Sequence, residues 1–260
     1  MKIDERLYKF GLPQTINDLL PREHHVVLYN RATRVPHWVL ERMDLEHMDM
    51  ADKELKRPPF RDDPAIPALF RADMGAYVKS GYDRGHLAAA ANHRASGAAT
   101  YDETFLMSNV APQHPYLNRK AWRHFEAYVR DLVGLFDDVC CVTGPLYVPR
   151  PDVSQANGAA AAATTDLIGG IIVPTHFYKV VLCVKDDNIF LESFVFPNGP
   201  DQTHLHSASK ANGKRSNSKT ALEQYRCSIT DLERAAGTVF FPKLNRRRVL
   251  PLCLHVPCQF

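Results

Sequence analysis

Two apolar runs, Phe177–Val184 and Phe190–Phe196, lie so close in the chain that they constrain its fold more than any other feature. Only Lys185, Asp186, Asp187, Asn188 and Ile189 separate them, and this link carries turn residues. Both runs are rich in Val, Phe, Tyr and Leu, so they read as strands closing into an antiparallel hairpin. Shorter β-type runs at His25–Tyr29, Trp38–Leu40 and Val139–Val142 extend the sheet. Helical spacing is rarer. Trp122, Phe125, Val129, Leu132, Val133 and Phe136 predict a helix opening at Asn118 and running to about Phe136, and a second is predicted over Ile229–Ala236, ended by Gly237. Strands and helices do not alternate regularly, which favours an α+β class, an antiparallel sheet with flanking helices, over a doubly wound parallel fold.

Length and composition narrow the function classes. At 260 residues, with 45% hydrophobic and 23% charged, the chain is expected to fold as one domain, 1–260. No apolar run approaches the roughly 20 residues of a membrane span, so no membrane insertion is expected, and Met1–Glu5 starts without the apolar core of a signal peptide. The six cysteines lack the paired close spacing of a zinc site and read as free thiols in a chain too large to need stapling. No glycine-rich phosphate loop is present. The alanine-rich stretch 154–165 and the Ser-, Asn- and Lys-rich stretch 201–219 read as surface insertions. A net charge of +3 argues weakly for nucleic acid, but Lys210, Lys214, Arg215 and Lys219 cluster without acids in the second insertion.

The chemistry-bearing stretch is Gly81–His93. Asp83, Arg84 and His86 place an acid, a permanent cation and an imidazole within four residues, with Gly85 allowing an unusual turn. Phosphodiester hydrolysis needs such groups: a base for water, cations for the charge growing on phosphoryl oxygens, and usually a metal. Histidine accepts a proton near neutral pH, and the arginine fork grips phosphate at two points. A second cluster follows, with Asn109, then Asn118, Glu126 and Arg130 along the long helix. An oxygen-only site of one Asn and a nearby carboxylate suits magnesium, which keeps several waters. Taken singly, an asparagine at position 118 is more often a helix cap and a pair like Glu126 and Arg130 more often a surface ion pair.

Together these residues resemble the DNA/RNA nonspecific endonuclease family, and within it the mitochondrial endonuclease G branch. Asp83-Arg84-Gly85-His86-Leu87, with Ala91 four residues beyond, is similar to the family's active-site signature. Thr104–Gln113, Val142–Tyr147, Val173–Val180 and Leu232–Gly237 carry the resemblance further, from about Tyr8 to Phe241. It implies a ββα-metal module with His86 as general base, Asn118 as metal ligand, and Glu126 and Arg130 as the glutamate and arginine that follow at the family's intervals, Glu126 accepting from metal-bound waters and Arg130 either holding that carboxylate or binding the substrate backbone. Arg84 would hold phosphate, and Asn109 would orient the site. An upstream family arginine has Lys56, Arg57 and Arg61 as candidates. Implied with them are Mg2+, for which Mn2+ substitutes, DNA and RNA as substrates, 5′-phosphate products, a homodimer, and the mitochondrial intermembrane space with nuclear entry on release. Two rivals stand beside this reading: a binding protein that has lost catalysis, and a hydrolase of small phosphoesters.

Overall fold

The protein, here a computed structural model, is described over residues 14–45, 55–94, 97–148, 166–200 and 222–258. The two sequence-read insertions, with Lys210, Lys214, Arg215 and Lys219, lie outside the described residues. In chain order the strands are β1 (Asn17–Pro21), β2 (His25–Asn30), β3 (Val35–Met43), β4 (Asp83–His86), β5 (Val110–Gln113), β6 (Asp138–Leu146), β7 (Leu167–Ile168), β8 (Ile171–Ile172), β9 (His176–Lys185), β10 (Asn188–Pro197) and β11 (Val249–Pro251). Helices are α1 (Ala98–Glu103), α2 (Pro115–Leu117), α3 (Arg123–Val133), α4 (Ile229–Ala236) and α5 (Leu252–His255), with short 3-10 turns between them.

Seven strands form the main sheet in the order β1-β2-β3-β6-β9-β10-β11. All neighbours pair antiparallel except β11, which runs parallel to β10. The sheet is therefore mixed at one edge. A parallel partner arrives by a long connection, and the three residues of β11 have no local pattern that foretells it. The predicted β9–β10 hairpin is present and closes on Asp186 and Asp187, both at positive φ (47° and 63°). Short polar Asp tolerates that left-handed backbone, which matches the twist of the flanking strands.

Both faces of the sheet are covered. Residues of β9 alternate between two cores, with Phe177, Val181 and Cys183 on one side and Tyr178 and Val180 on the other. That is why its sequence reads as a nearly unbroken apolar run. Phe125, Val129 and Leu132 of α3 enter the first core, where Phe125 meets Phe194 with ring centroids 4.9 Å apart. Leu232 of α4 enters the second, and Gly237, at φ 64°, caps that helix as predicted.

Two sequence expectations need correction. Asn118 does not open the long helix: the turn starts at Pro115, where His114 Nδ1 accepts from the Tyr116 N–H at 3.2 Å, and Asn118 begins a π-turn over Asn118–Trp122 leading into α3. Pro115 suits a first turn because the N–H it lacks would be unsatisfied there. Nor are all cysteines free, since Cys253 and Cys258 form a disulfide with Cα atoms 5.2 Å apart. Cys253 stands in the one-turn α5 and Cys258 just past its end, a local geometry that an argument from chain size does not see. No helix among the described residues is long and apolar enough to cross a membrane.

Candidate active site

The site is built on a second, two-stranded sheet. β4 pairs antiparallel with β5, matching Gly85 with Ala111 and His86 with Val110, and the helical turns beginning at Pro115 complete a ββα unit. Gly85 is required by close approach: a Cβ there would stand 2.1 Å from Oε1 of Gln113. Strand alternation then sends Asp83 one way and Arg84 and His86 the other. Asp83 receives the Asn118 Nδ2 hydrogen at 2.9 Å and a two-point grip from Arg119 at 2.7 and 2.8 Å. Arg84 and His86 both lie against Phe60.

A cavity of about 260 Å³ opens above His86, and Arg57, Tyr101, Phe105, Asn118 and Glu126 share its wall. Phe105 meets the imidazole edge-on at 4.8 Å and Phe60 lies 5.2 Å from it, so the ring cannot swing freely. Its main-chain carbonyl accepts from Trp122 Nε1 at 3.3 Å. Burial, with a smaller contribution from the Arg57 charge, holds the imidazole pKa down to about 3. His86 is therefore a neutral base at physiological pH. Burial pushes the Glu126 carboxyl up to about 7, Glu41 adds to the rise, and Lys179, Arg130 and Arg123 oppose it. Asp83 goes the other way. Burial raises its pKa, but the hydrogen bonds from Arg119 and Asn118 outweigh that and hold it below the ordinary value.

This donor set fits a hard cation. With its NH₂ committed to Asp83, the Asn118 amide turns its oxygen elsewhere, and Glu126 supplies carboxylate oxygens to the same cavity. Among the described residues no group of three or more His, Cys, Asp or Glu could hold a metal. A cation here would rest on few protein donors and keep its waters, as magnesium does.

The structure brings His86, Asn118, Glu126 and, of the upstream candidates, Arg57 to one cavity and sets Arg84, Asn109 and Arg130 off it. Asn109 is fully buried behind the cavity: its side chain accepts from the Ala88 N–H at 2.9 Å and donates to the Ala88 and Thr104 carbonyls, clasping the segment after His86. Arg84 donates to the Met74 carbonyl at 2.8 Å and stacks on Tyr77 as well as Phe60. Arg130 donates to Asn92 at 3.0 Å. Of the upstream basic residues, Arg57 reaches the cavity and lies over Phe60 and Phe105, whereas Arg61 is ion-paired with Asp102 at 2.5 Å. Asp83 was legible as an acid in the motif, but its grip on Asn118 was not.

A larger cleft, about 600 Å³, lies between β10, β11 and α4. Its cations Arg226 and Arg246 are already paired with Glu192 and Glu233, and none of the sequence-predicted site residues lines it.

Known nucleases resemble this chain over most of its length. The family model for DNA/RNA non-specific endonuclease matches residues 3–247. Human mitochondrial endonuclease G is 38% identical over 244 residues, spanning 93% of this chain and 75% of that protein. Nuclease C1 of Cunninghamella echinulata var. echinulata is 35% identical over 98% of this chain and 94% of its own. A solved EndoG/EndoGI complex matches with a TM-score of 0.76 and 34% identity, covering 95% of this chain and 94% of that one. The chain belongs to the DNA/RNA non-specific endonuclease family.

Proposed function

We propose that this endonuclease hydrolyses DNA and RNA phosphodiesters in the cavity above β4, with His86 as general base, Asn118 as the metal ligand and Mg2+, or Mn2+ in its place, as the cation. The observation that carries this reading is the convergence of His86, Asn118, Glu126 and Arg57 on one cavity. Nε2 of His86 is sealed from solvent without a hydrogen-bond partner, so Nδ1 takes the proton from the attacking water. A divalent cation, when bound, offsets charge on the phosphoryl group and the leaving 3′ oxygen. Asn118 holds it through the amide oxygen, and Asp83 keeps that amide from turning. Glu126 orients water in the cavity. Arg57 meets the phosphate there, while Arg84, stacked on Phe60 and Tyr77, steadies the wall beside it. Arg130 keeps Glu126 in place from one helical turn away. Departure of the 3′ oxygen leaves a 5′ phosphate on the other fragment.

Lys210, Lys214 and Arg215, with Lys219, would add phosphate contacts, a reading that rests on their clustering in the sequence alone. Relatives named as mitochondrial nucleases support a mitochondrial location. The intermembrane space, nuclear entry on release and a homodimer follow only from family resemblance. Supercoiled plasmid, single-stranded RNA and a small chromogenic diester, each with and without chelator, test the whole. Cleavage of both polymers, abolished by chelator and restored by magnesium, is expected. Binding without cleavage, or cleavage of the small diester alone, contradicts it.

A further inference from the structure

Beneath the cavity lies a buried polar chain that the mechanism above does not use. Glu41 stands on the central strand β3 and is 1% exposed. Its Oε2 accepts from Asn92 Nδ2 at 3.0 Å and contacts His93 Nε2 at 3.2 Å. Asn92, also buried, belongs to the 3-10 turn Ala90–His93 that follows the His86 motif, and Ala90 and Ala91 of that turn line the cavity. The other end of its carboxamide, Oδ1, accepts from Arg130 Nη1 at 3.0 Å.

Chemistry fixes this arrangement from both ends. An ionised carboxylate only accepts, so the NH₂ of Asn92 must face Glu41; a guanidinium only donates, so the oxygen must face Arg130. Burial of Glu41 raises its pKa, but the hydrogen bond from His93 and the charge of Lys179 outweigh this and keep it ionised. Lys179 itself is buried, donates to Thr143 at 2.8 Å and lies over the Trp122 ring. A carboxamide bridges this acid and this base without adding a charge, because one end donates and the other accepts.

We propose that Asn92 is a positioning residue for phosphodiester hydrolysis, holding Arg130 by one end of its carboxamide while buried Glu41 anchors the other. The proposal rests on the role given above to Arg130 beside Glu126. It adds that the turn after the signature histidine serves the reaction through the helix opposite, joining β3, the cavity wall and α3 in one line of hydrogen bonds. The competing account is that Asn92 only satisfies the buried charge of Glu41. In that case its loss lowers stability without acting through Arg130.

A double-mutant cycle separates the two. Wild type, Asn92→Ala, Arg130→Ala and the double variant are compared for kcat and KM on a short fluorescent duplex DNA with magnesium, and for thermal melting. Loss of an outer partner typically lowers activity by roughly 10- to 100-fold, so Asn92→Ala should lower kcat by that much and leave KM nearly unchanged. In the Arg130→Ala background the same change should have an effect of less than about 2-fold. A slow Arg130→Ala beside a wild-type kcat for Asn92→Ala overturns the inference and leaves the reading of the site intact. Equal losses in both backgrounds also overturn it. Wild-type cleavage by Arg130→Ala removes the site reading at that residue, and the proposal with it. Should Asn92→Ala fail to fold, Asn92→Asp, which keeps an oxygen for Arg130, replaces it. A folded Asn92→Asp as slow as Arg130→Ala counts against the proposal, and one clearly faster supports it.

Discussion

Asp83 accepts the Nδ2 hydrogen of Asn118 at 2.9 Å, and this one bond decides which end of the amide remains for a cation. Asp83→Ala should leave Asn118 free to rotate and raise the magnesium needed for half-maximal cleavage by roughly 10- to 100-fold, the usual penalty for losing a partner behind a metal ligand. Titration of activity with magnesium is the check. Asn118→Ala should lose activity that excess magnesium restores only in part. An unchanged magnesium requirement in Asp83→Ala would mean that the carboxylate serves Arg119 alone.

Arg57 and Arg61 are four residues apart and equally basic, yet the structure gives them different surroundings. Arg57 lies on the cavity wall over Phe60 and Phe105, and Arg61 is paired with Asp102. Arg57→Ala should lower kcat/KM by at least about tenfold with little change in melting, as expected for a lost phosphate contact worth more than about 1.4 kcal/mol. Arg61→Ala should shift melting by a few degrees at most and cleave normally, because half-exposed ion pairs contribute little. The reverse ranking in a plasmid assay would exchange their roles.

The buried His25 should weaken the fold in mild acid. His25 is 3% exposed, and burial, with the charge of His93, holds its pKa down to about 3. Above the unfolded value of 6.5 both states are neutral there and nothing is gained or lost. Below it the unfolded chain binds a proton that the folded chain refuses, so stability falls from pH 6.5 towards 3, by about 1.4 kcal/mol per unit. His86 shares the direction but opens on the cavity, so its share is smaller. Glu41 titrates below the ordinary 4.5, whereas Glu126, raised to about 7, takes up its proton in the folded state within the window from about 7 to 4.5 and opposes the loss from the histidines. Urea unfolding of both proteins should show His25→Gln gaining about 2 kcal/mol relative to wild type between pH 6.5 and 5, a difference in which the Glu126 contribution cancels. Parallel pH curves for the two proteins would remove His25 as a source.

Replacing Lys210, Lys214, Arg215 and Lys219 together by alanine should weaken nucleic-acid binding and flatten its log–log salt slope while kcat at saturating substrate stays nearly the same. Fluorescence anisotropy across a salt series measures the slope. Identical slopes would make the segment a solvated surface.

How much of this could be read from the sequence depended on whether the signal was local. The apolar runs of β9 and β10 and the stop at Gly237 carry their pattern within a few residues, and they stand where periodicity put them. β4 does not, because Asp83-Arg84-Gly85-His86 has no apolar alternation and is a strand only through its pairing with β5. The start at Pro115 was hidden by a His cap, an unusual residue for that task. β11 and the choice between Arg57 and Arg61 depend on partners distant in sequence or on tertiary packing, and the Cys253–Cys258 bond on a local turn with no periodic pattern. The residue types of the candidate site were legible as motif and interval. Its supports, Asp83 behind Asn118 and Glu41 behind Asn92, were not, since a buried hydrogen bond leaves no periodicity.

The central claim is that His86 takes a proton in the transition state, and His86→Ala tests it most directly. A general base contributes on the order of 10²- to 10⁴-fold in rate, so kcat on duplex DNA should fall by that much. DNA affinity and magnesium binding should stay close to wild type, because neither needs the imidazole. Melting on the same preparation guards against the alternative, in which His86, packed between Phe60 and Phe105, merely fills the wall. A variant that melts and binds DNA like wild type and is slower by two or more orders of magnitude is the predicted result. One that melts and binds normally and still cuts within a few-fold of the wild-type rate contradicts the assignment, and with it the mechanism.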